Sequence, residues 1–539
     1  MSTGASGMAS NNKNPALDQN FSAGSGKSYS PDIRSVRINT SREGISVPFK
    51  QLCLSNGEKI LVQDVSGPQT DGVLPRARES WGGSYKDGEV RKVHKTQLDY
   101  AKEGHVTAEM EYAATRESMA YGPDMAFTPE FVMKELAAGR AALPANANHP
   151  ESEPMLIGKA FSVKVNANIG ASSLSSGYEE EIKKLRVSLK YGADTIMDLS
   201  TGIKELGPLR DALLRRSPVP MGTVPVYEAL DRAEGRAKDL TWDLFKKTIL
   251  DQARQGVDYF TIHAGLTSDL LPYAAKRTLG IISRGGSLMA AAMMNHESEN
   301  MAWEHFDEIL EICHDYDVAL SLGDGLRPGC IADACDKAQY GELENIGKLI
   351  ERCREAGVQS FVEGPGHVPM DRIEENQRLE ERYCKDAPFY TLGPLVSDIA
   401  PGFDHVTAAI GGARIAECGT SMLCYVTPAE HLALPEEEDV RQGLLVFRLA
   451  AHAADLARHL PGATIRDDAM GRARAEFRWY DQFTLSLDPM HAYKVWSSKM
   501  PEDCGHTPAF CSMCGPRFCP IRLNRALVYR YSNEENKAD

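Results

Sequence analysis

Short apolar stretches alternate with amphipathic stretches through the middle of the chain. In segments such as Trp242–Gln255, apolar residues recur every three or four positions, a period that predicts a helix with one buried face. Strand and helix signals follow each other about eight times over roughly 230 residues, which is typical of a (β/α)8 TIM-type barrel. A doubly wound open sheet would show the same alternation. The predicted strands are Val163–Ile169, Thr195–Leu199, Thr223–Val226, Tyr259–Ile262, Gly280–Ile282, Ala319–Leu322, Gln359–Val362 and Phe389–Leu392.

The pattern changes on both sides of this repeat. Residues 1–43 are rich in Ser, Gly and Asn, a composition that predicts a disordered tail. Residues 44–150 mix strand and helix signals and predict a small N-terminal α+β domain. We expect the barrel over 151–435, followed at 436–539 by C-terminal helices and a loop-rich tail that carries three closely spaced cysteines.

Composition and charge restrict the classes of partner. The chain has 60 basic and 75 acidic residues, a net charge of -15, and no basic block, which argues against a nucleic acid or an anionic membrane. No apolar run approaches the ~18 residues that a membrane-spanning helix needs. The N-terminus lacks the pattern of a secretory signal, and nine of the twelve cysteines are scattered. These features predict reduced thiols and a cytoplasmic protein.

Polar residues stand at or just after the predicted strands. In a barrel of this class the carboxyl ends of the strands form the active-site face, so these residues predict an enzyme. Any one of them alone could be a cap or a turn residue. The residues are Asn168, Asp198, Tyr227, His263, Ser283 with Arg284, Asp324 with Arg327, Glu363 with His367, and Tyr390.

Two glycine-containing segments suggest phosphate binding. In Ser283-Arg284-Gly285-Gly286 and in Asp324-Gly325-Leu326-Arg327-Pro328-Gly329, glycines allow backbone N–H groups to converge while an arginine adds positive charge. Tight strand–helix turns that need glycine would give the same pattern. The arginines favour the phosphate interpretation.

The segment Cys511-Ser-Met-Cys514-Gly-Pro-Arg-Phe-Cys519 places three potential thiolates on one short turn. Three thiolates can hold a four-iron cluster with one iron left open. Cys504 and His506 lie just upstream and could instead complete a closed structural zinc site. The spacing alone does not decide between these two sites.

Histidines near the strand ends suggest a second metal site. Glu363 and His367 share one rigid turn, and His431 follows the strand-like segment Met422–Val426. A His367–His431 pair is one hypothesis, with His149, His405 and His263 as rivals, and a hydrogen-bonded structural role is the usual one for a histidine.

Taken together, the motifs resemble those of the phosphomethylpyrimidine synthase family, in the family's order, over roughly residues 45 to 520. Such a series is far more specific than any single member. The motifs are Asn166-Ala-Asn168-Ile-Gly, Met197-Asp-Leu-Ser-Thr-Gly, Gly222-Thr-Val-Pro, Phe260-Thr-Ile-His263-Ala-Gly, Ser283-Arg-Gly-Gly, Gly323-Asp-Gly-Leu-Arg-Pro-Gly, Glu363-Gly-Pro-Gly-His-Val-Pro-Met370, Ala400-Pro-Gly, Met422-Leu-Cys-Tyr-Val-Thr-Pro and the cysteine segment.

The resemblance implies a radical S-adenosylmethionine enzyme of thiamine biosynthesis. Its substrate would be 5-aminoimidazole ribonucleotide, and its product 4-amino-2-methyl-5-phosphomethylpyrimidine, with carbon monoxide, formate, 5′-deoxyadenosine and methionine released. The implied substrate contacts are Asn168, Met197, Tyr227, His263, Ser283, Arg284, Gly285, Asp324, Gly325, Leu326, Arg327, Glu363 and Tyr390.

The same resemblance implies the cofactors and partners. Cys511, Cys514 and Cys519 would hold a [4Fe-4S] cluster, with Cys504 and His506 left out, and His367 and His431 would hold a mononuclear zinc or iron ion. S-adenosylmethionine would bind at the open iron. Family members form homodimers and take an electron from a donor such as flavodoxin or ferredoxin.

Three other functions compete with this interpretation. A zinc-dependent barrel hydrolase with a structural zinc tail needs more ligands than two histidines, and the His-x-His expected after the first strand is absent. A nucleotide-binding regulator would explain the glycine segments but not the polar strand ends. A paralogous hydroxybenzimidazole synthase would use the same ribonucleotide but is expected to lack the N-terminal domain.

Overall fold

The structure is a computed structural model that describes residues 29–68, 72–79, 81, 90–120, 127–500 and 508–535. The strands are β1 (Ile33–Asn39), β2 (Ser46–Cys53), β3 (Lys59–Gln63), β4 (Ala141–Ala142), β5 (Ile157–Gly158), β6 (Lys164–Ile169), β7 (Thr195–Asp198), β8 (Met221–Thr223), β9 (Tyr259–Ile262), β10 (Ala319–Leu322), β11 (Ser360–Gly364), β12 (Phe389–Leu392) and β13 (Met422–Cys424).

The helices occupy most of the chain between and after these strands. They are α1 (Gln97–Lys102), α2 (Ala108–Ala120), α3 (Pro129–Ala137), α4 (Tyr178–Lys190), α5 (Leu206–Leu214), α6 (Pro225–Arg232), α7 (Trp242–Gln255), α8 (Leu271–Ala274), α9 (Arg284–His296), α10 (Met301–Glu304), α11 (Phe306–Tyr316), α12 (Lys337–Glu355), α13 (Ile373–Cys384), α14 (Asp404–Cys418), α15 (Glu437–Ala457), α16 (Ile465–Ala475), α17 (Trp479–Leu485), α18 (Pro489–Ser497), α19 (Gly515–Phe518) and α20 (Pro520–Glu535).

Within the described residues, β6 to β13 form a closed barrel of eight parallel strands. Each strand pairs with the next along the chain, and β13 closes the barrel by pairing with β6. Helices connect the strands, as parallel neighbours require. The predicted (β/α)8 barrel is therefore confirmed, and an open sheet is excluded.

The helix α7 shows how the sequence specifies these connections. The Thr241 hydroxyl caps its first turn by accepting a hydrogen bond from the Leu244 N–H, and Gly256 ends it in the left-handed conformation. Phe245 and Ile249 lie on its buried face. The predicted bounds Trp242–Gln255 are those of the structure.

Two predicted strands differ from the structure. The segment Gly280–Ile282 is not a strand, and Ile282 is partly exposed, whereas a barrel strand would bury it. The eighth strand is instead β13, at the segment Met422–Val426 that the sequence indicates only as strand-like. The predicted strand Thr223–Val226 lies too far along the chain, because β8 is Met221–Thr223. Pro225 begins α6, and the first position of a helix suits proline.

By their internal contacts the described residues divide into two compact units, whose ranges below refer to those residues alone. The barrel unit is Ile38–Val47 with Val65–Pro461, and the other unit is Met1–Arg37, Pro48–Asp64 and Gly462–Asp539. These bounds differ from the predicted ones at 43, 150 and 435. Helices α1 to α3 and α15 belong to the barrel unit, where α15 packs on α14 and α4.

The second unit combines the N-terminal strands with the C-terminal helices. Leu52 and Ile60, on β2 and β3, share a buried cluster with Ala469 and Leu485, on α16 and α17. The Asp481 carboxylate also accepts hydrogen bonds from the backbone and the hydroxyl of Ser55 at 2.9 and 2.7 Å. This packing joins distant parts of the sequence, which a linear domain prediction cannot show.

Strand β1 lies inside the segment 1–43 that the composition predicted to be disordered. It borders β2 in a three-stranded sheet with β3, so the disorder prediction is wrong for residues 33–39. Residues 1–28 of the predicted tail lie outside the described residues.

Candidate active site

The carboxyl ends of the barrel strands surround a cavity of about 410 Å³. The strand register sets side chains from neighbouring strands at one level, because Asn168 is paired with Met197 and Glu363 with Tyr390. Ten of the predicted site residues line the cavity: Asn168, Met197, Tyr227, His263, Arg284, Asp324, Arg327, Glu363, Tyr390 and His431.

A buried, hydrogen-bonded pair of Asp324 and Arg327 lies at one side of this cavity. The Arg327 guanidinium donates a hydrogen bond to the Asp324 carboxylate at 3.0 Å, just beyond the end of β10. Burial raises the pKa of Asp324 to about 7, although the positive charge of Arg327 opposes the shift. Burial works against the charge on Arg327, but the neighbouring Asp324 raises the pKa of Arg327 above its usual value. The pair can offer both a cation and a carboxyl proton to a ligand.

Glu363, at the end of β11, is held by two hydroxyl groups. Thr261 and Ser321 both donate to its Oε1 at 2.7 Å. Burial raises the pKa of Glu363, and these two hydrogen bonds partly offset that rise. The carboxyl group is therefore fixed in orientation at the surface of the cavity.

Arg284 enters the cavity from the first turn of α9. Its guanidinium lies 5.1 Å from the centre of the Tyr227 ring, a cation–π distance. The Ser283 hydroxyl caps the helix by accepting from the Gly286 N–H at 3.1 Å. A helix N-terminus with a flanking arginine favours an anion in front of it.

His263 packs tightly against the backbone of α9. A Cβ at Gly285 would lie 2.1 Å from the His263 ring, so only glycine fits there. Burial, with a smaller contribution from Arg327, lowers the pKa of His263 to about 3, and the ring is neutral. Its Nδ1 is buried and has no protein partner among the described residues, which leaves a nitrogen for a ligand in the cavity that the ring lines.

A hydrogen-bonded network crosses the barrel just below the cavity. The Asn166 amide donates to the Tyr390 hydroxyl at 2.7 Å and accepts from the Tyr259 hydroxyl at 3.2 Å. The same amide donates to Asn168 Oδ1 at 2.7 Å, and Asn168 in turn donates to the Cys424 sulfur at 3.1 Å. The network fixes the orientations of Asn168 and Tyr390.

Three further residues of the predicted site, Asp198, Gly325 and Leu326, do not line the cavity. The Leu326 side chain is buried in a separate apolar cluster, and its N–H donates to Glu342 at 2.7 Å. Gly325 packs against Gly286, whose Cβ would overlap it. Asp198 is buried at the end of β7 and accepts from the Ser200 N–H at 3.0 Å. These residues shape the turns that carry the cavity-lining groups.

The cavity also contains residues that are not among the predicted site residues. Cys424 ends β13, and Glu430 directly precedes His431. Burial raises the pKa of both Cys424, to about 11, and Glu430. Assigning β13 as the eighth strand would have identified Cys424 as a strand-end residue, whereas nothing in the sequence distinguished Glu430.

His367 and His431 lie side by side, with ring centres 5.5 Å apart. His367 Nδ1 is 2.7 Å from Asp398 Oδ1, and His431 Nδ1 is 3.5 Å from Asp404 Oδ1. Nε2 of each ring is thus the nitrogen left for a metal. Two imidazoles on one tetrahedral ion, with bonds of about 2.1 Å, place their ring centres about 5 Å apart. The pair fits a shared ion.

The rival histidine His149 does not suit metal binding. Its Nδ1 is 2.6 Å from Asp258, and its Nε2 lies near the carbonyl oxygens of Leu214 and Ser217. Both ring nitrogens are therefore occupied. In the part of the chain that the structure describes, no three His, Cys, Asp or Glu side chains converge as metal ligands, so two histidines would leave the other positions of an ion to water or substrate.

The three cysteines of the C-terminal segment are free thiols on the turn that contains α19. Cys511 and Cys514 are partly exposed and Cys519 is buried. The Gly515 N–H donates to the Cys511 carbonyl at 2.9 Å, which closes the turn. Three thiols on one turn are the donor set of an open four-iron cluster, although their sulfur atoms do not converge here. The predicted bystander Cys504, with His506, lies outside the described residues.

None of the described helices is both long enough and apolar enough to cross a bilayer.

Comparison with solved structures gives a remote match. A dihydropteroate synthase of Xanthomonas albilineans, in complex with indole-2-carboxylic acid and 6-chloroguanine, is 12% identical to this chain. The match covers 59% of this chain and 100% of that one, with a TM-score of 0.34. A score this low supports no conclusion about function.

Comparison with protein families is decisive. The model of the radical SAM ThiC family matches residues 96–526, which is most of the chain and includes the whole barrel and the three cysteines. The chain therefore belongs to the radical SAM ThiC family, the phosphomethylpyrimidine synthases, which are radical S-adenosylmethionine enzymes that make the pyrimidine of thiamine.

Proposed function

We propose that this enzyme converts 5-aminoimidazole ribonucleotide into 4-amino-2-methyl-5-phosphomethylpyrimidine and releases carbon monoxide, formate, 5′-deoxyadenosine and methionine. The observation that supports this substrate is the barrel cavity itself. Its volume of about 410 Å³ lies in the range of small-molecule sites, and two arginines line it together with uncharged and acidic hydrogen-bonding groups. A phosphorylated heterocycle matches that distribution of charge.

The phosphate is assigned to the side of the cavity that holds Arg284 and Arg327. Arg284 stands at the N-terminus of α9, where the helix dipole favours an anion. Arg327 adds a second guanidinium, whose Nε has no partner among the described residues. Charge-assisted hydrogen bonds of this kind anchor a ribonucleotide firmly.

The heterocycle is assigned to the side of the cavity that holds Asn168, Tyr390 and Glu363. Asn168, Tyr390 and Glu363 are held by the hydrogen bonds described above, so they present fixed donors and acceptors. The neutral His263 adds an uncharged ring nitrogen. A substrate held at both ends keeps its reacting atoms in place while its carbon skeleton is rearranged.

The cofactor ligands are proposed on the chemistry of the donor sets. Cys511, Cys514 and Cys519 would hold the [4Fe-4S] cluster, and His367 and His431 a zinc or iron ion. When bound, the cluster and S-adenosylmethionine supply the radical chemistry that no side chain can provide. The barrel residues orient the ribonucleotide and exclude water from it.

A cytoplasmic location is proposed from the membership of the ThiC family and from the free cysteines. Every cysteine in the described part of the chain is a free thiol, as a reducing cytoplasm favours. We further propose a homodimer and a one-electron donor of the flavodoxin or ferredoxin type.

Product analysis tests this proposal. Full-length enzyme is reconstituted anaerobically with iron and sulfide, reduced, and supplied with 5-aminoimidazole ribonucleotide and S-adenosylmethionine. Mass spectrometry should find the phosphomethylpyrimidine together with 5′-deoxyadenosine, and neither product in the Glu363→Gln variant. The exposed Glu234→Gln substitution serves as the matched control, with unchanged products.

Hydroxybenzimidazole as the product would assign the chain to the paralogous reaction. Formation of 5′-deoxyadenosine without any product from the ribonucleotide would show that the substrate assignment is wrong.

A further inference from the structure

The turn that carries His367 is held against the segment after β12. His367 and Leu395 form a parallel β-bridge, in which the Val368 N–H donates to the Leu395 carbonyl at 3.1 Å and the Leu395 N–H donates to the Gly366 carbonyl at 2.9 Å. The chain then continues for three residues to Asp398. The bridge therefore brings the Asp398 carboxylate beside the imidazole.

The Asp398 carboxylate makes two hydrogen bonds with different partners. Oδ1 is 2.7 Å from His367 Nδ1, and Oδ2 accepts from the Ile331 N–H at 2.9 Å. The Ile331 contact fixes the carboxylate, and an ionised carboxylate can only accept hydrogen bonds. Nδ1 of His367 must therefore carry the proton, and Nε2 must carry the lone pair.

The neighbouring histidine has a similar environment. His431 Nδ1 faces Asp404 Oδ1 at 3.5 Å, and Asp404 is buried at the first residue of α14. Both rings thus turn Nδ1 toward a carboxylate, and their centres are 5.5 Å apart. Unlike His149, whose Nδ1 also faces a carboxylate, these two histidines lie side by side.

We infer that Asp398 is a positioning residue for metal binding, which holds His367 in the Nδ1–H tautomer and directs Nε2 to the ion. The inference rests on the proposed His367–His431 metal site. Carboxylates that hold the outer nitrogen of a metal-bound histidine raise the basicity of the ligand and fix its ring, and their loss weakens metal binding about 10- to 100-fold.

Asp398→Asn is the sharpest substitution, because asparagine has nearly the same shape. Its carbonyl oxygen can still accept from the Ile331 N–H, while its NH₂ group faces His367 Nδ1 and donates to it. That hydrogen bond stabilises the opposite tautomer, in which Nε2 carries the proton and cannot bind metal. The fold should be unaffected, since Asp398 is partly exposed.

Metal affinity is measured on the full-length protein by competition of Zn²⁺, and separately Fe²⁺ under anaerobic conditions, with a chromophoric chelator. The cysteine segment is blocked in every sample by Cys511→Ser, Cys514→Ser and Cys519→Ser. We expect Asp398→Asn to lower the affinity about 10- to 100-fold. Asp398→Glu should restore part of it, because it keeps a carboxylate. The exposed Asp371→Asn, on the segment that follows His367, is the matched control and should bind as tightly as the parent.

Two further readouts separate positioning from a structural role. Thermal unfolding of the metal-free proteins should be the same for Asp398→Asn and the parent. The visible absorption of bound Co²⁺ should change in Asp398→Asn and not in Asp371→Asn, because the ligand field changes. If Asp398→Asn does not fold, the Glu and Gln variants at this position replace it as a matched pair.

Loss of the metal in His367→Ala, with parent-like affinity in Asp398→Asn, would overturn this inference and leave the proposed metal site intact. Parent-like affinity in both His367→Ala and His431→Ala would refute the metal site and the inference together. A 10- to 100-fold loss in Asp398→Asn with an unchanged unfolding temperature supports the inference.

Discussion

The barrel mouth and the cysteine segment differ in how far the fold prepares them. At the barrel mouth, Asp324 is paired with Arg327, and Glu363 is held by two hydroxyls, so the polar groups are oriented before any ligand arrives. In the cysteine segment, the described contacts give the three thiols no hydrogen bond, and two of them are partly exposed. The barrel mouth is therefore preorganised by packing and hydrogen bonds, whereas the cysteine segment is recognised only by the spacing of its thiols.

Because of this difference, the substrate proposal and the cluster proposal rest on different observations. Preorganised polar groups in a cavity limit the chemistry of the substrate, so the structure contributes to that proposal. A set of free thiols binds metals of several kinds, so the cluster assignment depends on the family that the chain belongs to. The two sites should therefore respond to mutation in separable ways.

The largest effect is expected for Cys514→Ala. Loss of one of three ligands should abolish both the broad absorbance near ~400 nm of the reconstituted protein and product formation. Ribonucleotide binding to the barrel should be unchanged by calorimetry. Cys53→Ala, a partly exposed thiol on β2 of the same unit, is the control and should retain the cluster. An unchanged spectrum in Cys514→Ala would contradict the cluster assignment.

The next largest effect is on the pH dependence of folding stability, and it arises from a residue of the barrel. The folded-state pKa of Asp324 is raised to about 7 from its ordinary 3.8, so the native state holds its proton where the unfolded state has lost it. This carboxyl therefore makes the fold progressively less stable as pH rises from about 4 to about 7, by up to about 4 kcal/mol. Comparing urea unfolding of the parent and Asp324→Asn across that range should show the difference in stability moving in favour of the variant. A difference independent of pH would contradict the buried, neutral state.

Arg284→Ala should weaken ribonucleotide binding roughly 10- to 100-fold, because one charge-assisted hydrogen bond is worth about 1.5–3 kcal/mol. Calorimetry on cluster-free protein measures the effect. The exposed Arg236→Ala is the matched control and should bind normally. Equal affinity in Arg284→Ala would place the phosphate elsewhere.

The smallest effect is expected at Ser283, where it distinguishes a role in capping α9 from a direct contact with the ligand. Its hydroxyl caps α9, and removal of an N-cap costs about 1 kcal/mol. Ser283→Ala should lower the unfolding free energy by that amount, and Ser283→Thr should restore it. Ligand affinity that returns with the threonine would agree with a role through the helix, whereas affinity that stays low would indicate a direct contact.

The sequence was sufficient for the barrel and for most of the residues at its mouth. Strand–helix alternation is a local property, and parallel strands necessarily gather their carboxyl ends on one face. Asn168, Tyr227, Glu363 and Tyr390 could therefore be placed together without coordinates. The sequence predicted a strand at Gly280–Ile282 and not the barrel strand at Met422–Cys424. Segments of only three residues give too weak a hydrophobic pattern to distinguish a strand from a loop.

Features that depend on long-range packing could not be predicted. The grouping of β2 and β3 with α16 and α17 joins residues more than 400 positions apart, such as Ser55 and Asp481. Glu430 reaches the cavity only because of the path of the loop after β13. The Asp398 carboxylate lies beside His367 because of the β-bridge between His367 and Leu395, which no local sequence pattern predicts.

We expect the barrel mouth to bind a ribonucleotide even when the protein carries no cluster. Calorimetric titration of cluster-free, full-length protein with 5-aminoimidazole ribonucleotide, and with the ribonucleoside that lacks the phosphate, tests it directly. We predict one ribonucleotide per chain and binding of the ribonucleoside weaker by at least about tenfold, because the contacts to Arg284 and Arg327 are lost. Equal affinities for the two compounds, or no binding of either, would contradict the account.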